Sequence, residues 1–131
     1  MHAIMSSFKL QKPTRLQTPK QFKTVYANRQ FANTEAFSFN ALDQQSNNKL
    51  GITVSKKVSP LAVRRNHIKR LVREHYRVRQ AAFIGVYLVI TAKPAAANLS
   101  NRQIEQELDA LWEKVIRWYR WRQRSLSQAS D

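Results

Sequence analysis

Apolar positions along the chain change their spacing several times, and each change marks an element. In LQTPKQFKTVYANR, residues 16–29, Phe22, Val25 and Tyr26 share one helical face. Thr18 stands where a cap belongs, Pro19 suits the first turn and Gln21 completes a capping box, so a short helix is expected to begin there. EAFSFNALD, residues 35–43, alternates instead: Phe37, Phe39 and Ala41 fall on one side of a strand, with the polar turn 43–48 behind it. KLGITVSKKV, residues 49–58, alternates again through Leu50, Ile52 and Val54. The short polar link predicts that these two strands pair as an antiparallel hairpin.

Only a helix sorts out the next segment, RRNHIKRLVREHYR, residues 64–77. At about 100° per residue, Leu61, Ile68, Leu71, Val72, His75 and Tyr76 gather on one arc, and Arg65, Asn66, Lys69, Arg70, Arg73 and Arg77 on another. Packing the first arc leaves the second facing water. GVYLVITA, residues 85–92, is nearly continuous in apolar and β-branched residues and predicts a strand buried on both faces or nearly so. Ser100 and Gln103 repeat the capping-box pattern, after which Ile104, Leu108, Leu111, Trp112, Val115 and Ile116 mark a long amphipathic helix. The order helix, strand, strand, helix, strand, helix predicts an α+β fold, a small mixed or antiparallel sheet packed with helices. One domain is expected over residues 1–131, with its core from about 14 to 118 and flexible ends at 1–13 and 123–131.

Charge brings in the partner. Lys plus Arg number 23 against eight Asp plus Glu, a net charge of +15, which favours a polyanion over a small-molecule substrate. Arg65 with Lys69, and Lys69 with Arg73, are like-charged i,i+4 pairs that each cost roughly 0.2–0.5 kcal/mol in an isolated helix. Glu74 lies only at the edge of that arc, and Lys56 and Lys57 stand nearby at the end of a strand. Phosphates would turn the repulsion into attraction, and Asn66 could read a base edge or a ribose hydroxyl. The chain has no cysteine, so a disulfide frame and thiolate metal sites are excluded. Its longest apolar run, 81–92, is too short to span a bilayer and no secretory signal is evident, so a cytoplasmic protein without a membrane partner is expected.

Residue patterns alone leave several readings open. Composition suits a general structured-RNA-binding or ribosomal protein as well as a more specialised one, whereas a DNA-binding helix-turn-helix lacks its preceding helix and short turn. Phe22, with Val25 and Tyr26 at i+3 and i+4, fits a packed core or a stacking platform equally. RWYRWRQR, residues 117–124, fits either a helix end that packs Trp118 and Trp121 or an RNA-stacking surface. At least one of Phe37 and Phe39 is expected only to pack. Glu105, Asp109 and Glu113 fit a solvated helix face, His75 a packed side chain, and no catalytic or metal-ligating residue is expected.

GITVSKKV and, further along, RRNHIKRLVRE resemble the signature of the protein component of bacterial ribonuclease P; TPKQFKTVY resembles that family's first helix and YLVITAKP its last strand. The resemblance implies a subunit that makes and breaks no bonds itself. A catalytic RNA using bound Mg²⁺ removes the 5′ leader of precursor tRNA, and the protein assists. It further implies that Arg65, Asn66, His67, Lys69, Arg70 and Arg73 dock on the catalytic RNA, on the helix of a left-handed β-α-β crossover. Phe22, Tyr26, Phe39, Lys56 and Lys57 would then line a cleft between the first helix and the sheet for the single-stranded leader. The family usually has Arg where His67 stands, and often a basic residue where Ala92 stands.

Overall fold

The structure, a computed structural model, describes residues 15–28 and 30–129; the flexible end expected at 1–13 lies outside them. Helix α1 spans Pro19–Ala27. Thr18 caps it: its hydroxyl accepts from the Gln21 N–H at 3.2 Å, and the Gln21 side-chain oxygen accepts from the Thr18 N–H at 3.2 Å. Strands β1 (Gln30–Asn33), β2 (Phe37–Leu42) and β3 (Lys49–Thr53) follow. The cationic segment is helix α2, Ala62–Arg79; β4 spans Tyr87–Ala92 and helix α3 Asn101–Ala129. Ser100 and Gln103 form the second reciprocal box, at 2.9 and 3.2 Å. Helix α3 continues through 123–129, which the sequence pattern assigns to a flexible end. Immediately before it, Arg122 donates to the buried carboxylate of Asp43 at 2.5 Å.

All four strands form one mixed sheet in the order β1-β2-β4-β3. The hairpin expected between β2 and β3 does not form. Strand β4 inserts between them, antiparallel to β2 and parallel to β3. Burial explains the preference: Leu88, Val89 and Ile90 are completely buried, and a strand covered on both faces belongs inside the sheet. The polar segment 43–48 therefore crosses the end of β4 instead of turning back. Asn48 fixes that crossing, donating to the carbonyls of Gln80 at 3.3 Å and Phe83 at 2.9 Å and accepting from the Val86 N–H at 3.0 Å. Strand β1 is unannounced by any alternation in QFAN, yet it pairs antiparallel with β2. Its polar Gln30 points toward α3 because its side-chain oxygen accepts from Trp118 Nε1 at 2.8 Å.

The pleat gives the sheet two unlike faces. Phe37, Phe39, Ala41, Leu50, Leu88 and Ile90 are buried against Ile68, Val72 and Tyr76 of α2 and Leu108, Leu111 and Trp112 of α3. A fully buried large side chain contributes roughly 1.5–3 kcal/mol, so this one layer supplies most of the hydrophobic stabilisation. Among the described residues the opposite face carries α1 alone, which buries Leu16, Val25 and Val89 with Phe22, Leu42 and Tyr87 packed around them. Polar Ser38, Asn40, Thr53 and Thr91 share that face and are half-buried. Helix α2 packs near β3, and α3 near β1 and β2. No helix among the described residues is long and apolar enough to cross a membrane.

Candidate nucleic-acid interface

Because α2 buries Ile68, Val72 and Tyr76, its opposite arc must face outward. Asn66 and Arg70 are exposed, and Lys69 and Arg73 are half-buried. These four side chains have no hydrogen bond or ion pair among the described residues. Arg65 lies at the packed margin of the ridge, where its guanidinium donates to the Ser59 carbonyl at 2.9 Å. His67 turns off the ridge toward α3, with Nε2 2.8 Å from Asn101 Oδ1. The six residues expected to act together thus divide into an open row of four, one anchored neighbour and one side chain on another flank.

Arg73 extends the ridge to the edge strand β3. There it lines a groove of about 110 Å³ with Arg15, Leu16, Phe22, Leu50 and Gly51. Burial, and then the charge of Arg15, hold the Arg73 guanidinium below the usual arginine range. Two cations facing a groove without an acid make a place where a phosphate would relieve repulsion. Sequence reasoning misses Arg15, because nothing in the local pattern announces the bridge that pairs it with Leu50.

On the α1 face, Tyr26 is 41% exposed, and its hydroxyl lies 3.4 Å from those of Thr53 and Thr91. Phe22 lies on the bare backbone of Gly51, where an added Cβ would stand 2.5 Å from the ring. It is a packing residue with one edge on the groove. Phe39 does not belong to this cleft. The strand's period of two places it with Phe37 beneath α2 and α3, fully buried, its ring centroid 6.1 Å from that of Trp118. Lys56 and Lys57 are exposed in the turn after β3, a few residues beyond Thr53. Phe31 is the aromatic that the sequence does not reveal: 59% exposed, it pairs with Asn40 and shares the α1 face. Ala92 is buried opposite Phe37 on the helix-packed side, so a longer side chain there would start from the core.

Residues 10–116 match the family model Ribonuclease P. The chain belongs to the ribonuclease P protein family. The ribonuclease P protein component of Escherichia coli O157:H7 is 38% identical over 104 residues, covering 79% of this chain and 87% of that one. Among solved structures, the Staphylococcus aureus RNase P protein superposes with a TM-score of 0.72 at 25% identity, over 81% of this chain and 97% of that one. The RNase P protein from Thermotoga maritima shares the fold, with a TM-score of 0.65 at 23% identity over 76% and 96%. The ribonuclease P match ends before the last three turns of α3, the part that carries the Arg/Trp segment.

That segment both packs and faces water. Trp118 donates to Gln30 and Arg122 to Asp43, whereas Trp121 is 49% exposed. The acidic residues of α3 mostly serve the fold of this ribonuclease P family member. Asp109 accepts from Arg79 at 2.8 Å, Glu107 accepts from the Ala36 N–H at 2.8 Å, and Glu105 faces His75.

Proposed function

We propose that this chain docks on the catalytic RNA of a ribonuclease P ribonucleoprotein and holds the 5′ leader of precursor tRNA beside it. The observation that carries this reading is the shared groove at β3, where Arg73 of the cationic ridge and Phe22 of the aromatic face line one cavity. An RNA gripped along Asn66, Lys69, Arg70 and Arg73 lies next to a strand held over Tyr26 and Phe31. Arginine and lysine on phosphates supply affinity through counterion release. Exposed rings supply sequence-tolerant stacking on unpaired bases. The protein's share of the reaction is therefore binding and orientation.

Leader removal by the catalytic RNA would use Mg²⁺, and this chain's donors do not fit that ion. Among the described residues no three His, Asp or Glu side chains are grouped so that they could hold a metal ion. The outward surface of α2 is cationic and would repel a divalent cation. No step of the hydrolysis is assigned to a residue of this protein.

The test is binding of precursor and mature tRNA to the reconstituted complex. Replacing Tyr26 or Phe31 with Ala is expected to weaken precursor binding by about 1–3 kcal/mol per lost stack, with mature tRNA unaffected. Equal losses for both tRNAs, as a general structured-RNA binder would show, or no loss for either, would overturn the assignment.

A further inference from the structure

Helix α3 carries a second cationic surface, flanking β1, at the opposite edge of the sheet from the α2 ridge. Arg117, Arg120 and Arg124 are exposed and make no hydrogen bond or ion pair among the described residues. Trp121 lies between them, 49% exposed and without a ring contact. Together with Lys114, Ala32 and Trp118, Arg117, Trp121 and Arg124 line an open groove of about 510 Å³. The acid lining the adjoining groove is Glu113, beside the three arginines. Neighbouring residues show what packing looks like here: Trp118 and Arg122 each have a protein partner, at Gln30 and Asp43.

An exposed indole flanked by unpaired guanidiniums fits a partner that is both polyanionic and rich in flat rings, which is unpaired RNA. Strand β1 connects this groove with the proposed leader cleft. Phe31 faces the cleft, and the next residue, Ala32, lines the groove on the opposite side of the pleat. Lys114 Nζ holds the end of that strand through the Asn33 carbonyl at 2.6 Å. A single strand leaving the cleft past Phe31 therefore meets Trp121 when it turns over the edge of the sheet.

We infer that the part of a precursor leader lying beyond the cleft stacks an unpaired base on Trp121, with phosphates on Arg117 and Arg124. This site rests on the leader-holding reading and extends it to a second contact that only longer leaders reach. The experiment compares two precursor tRNAs in the reconstituted complex, one with a leader too short to pass β1 and one long enough to do so. Trp121→Ala is expected to weaken the long-leader precursor by about fivefold or more, the lower end of what one lost stack costs, and to leave the short-leader precursor and the affinity for catalytic RNA unchanged. Trp121→Phe should restore most of the loss, and Arg117→Glu with Arg124→Glu should reproduce it.

No effect of Trp121→Ala on the long leader, while Tyr26→Ala still weakens the short one, would sink this second contact and leave the cleft standing. No effect of Tyr26→Ala on the short leader would instead remove the reading beneath it. A loss of catalytic-RNA affinity would give the groove to that RNA, and a change in the protein's mass in solution would give it to a second copy of the chain. Either result would overturn the inference.

Discussion

Between α2 and α3, His75 sheds most of its water, and its nearest carboxylate oxygens, on Asp109 and Glu105, stand 3.6 and 3.9 Å away. Burial, and then Arg79, push its pKa below the ordinary 6.5, with Asp109 and Glu105 opposing only in part. The unfolded chain takes up a proton near that ordinary value and the folded chain resists it. This residue's stabilising effect is therefore complete above the unfolded pKa and is lost as pH falls through the lower folded one. His75→Gln is expected to flatten the decline in denaturation midpoint between about pH 7 and 5; an unchanged slope would place the decline on other groups. Single residues also show how far a pattern can be read. Alternation correctly puts Phe37 and Phe39 on one face, but it cannot say which face meets the helices. Phe39 therefore looks as available from the sequence as Phe31 proves to be in the fold.

Among the elements, helix α2 is the most legible, because its 3.6-residue period separates greasy and cationic arcs without reference to the rest of the chain. Both capping boxes are equally local and form as the sequence implies. What the sequence hides is non-local. Strand β1 is four residues long and owes its place to β2 and to Trp118, and β2 and β3 look like a hairpin only until β4 arrives between them. The ridge itself makes a quantitative prediction. Replacing Lys69, Arg70 and Arg73 together with Ala should weaken binding to the catalytic RNA. Each lost phosphate contact should lower the slope of log affinity against log salt by about 0.7–0.9. A slope equal to that of the wild type would show that the ridge touches no phosphate.

Across the whole molecule, the heavy core lies on one side of the sheet and the open polar face on the other, so a rigid layer supports a surface free to bind. Cationic surfaces at both edges leave that open face as the path between them. The central position of β4 has a further consequence for manufacture. A ribosome has released β1, β2 and β3 well before Tyr87–Ala92 appears, and until it does β3 has no partner among the other three strands and only the bridge from Arg15 to Leu50. The nascent chain therefore waits as a hairpin with a highly basic tail. A fragment ending at Phe83 should show no cooperative thermal transition, and a sharp one would mean that the earlier strands found another way to pair.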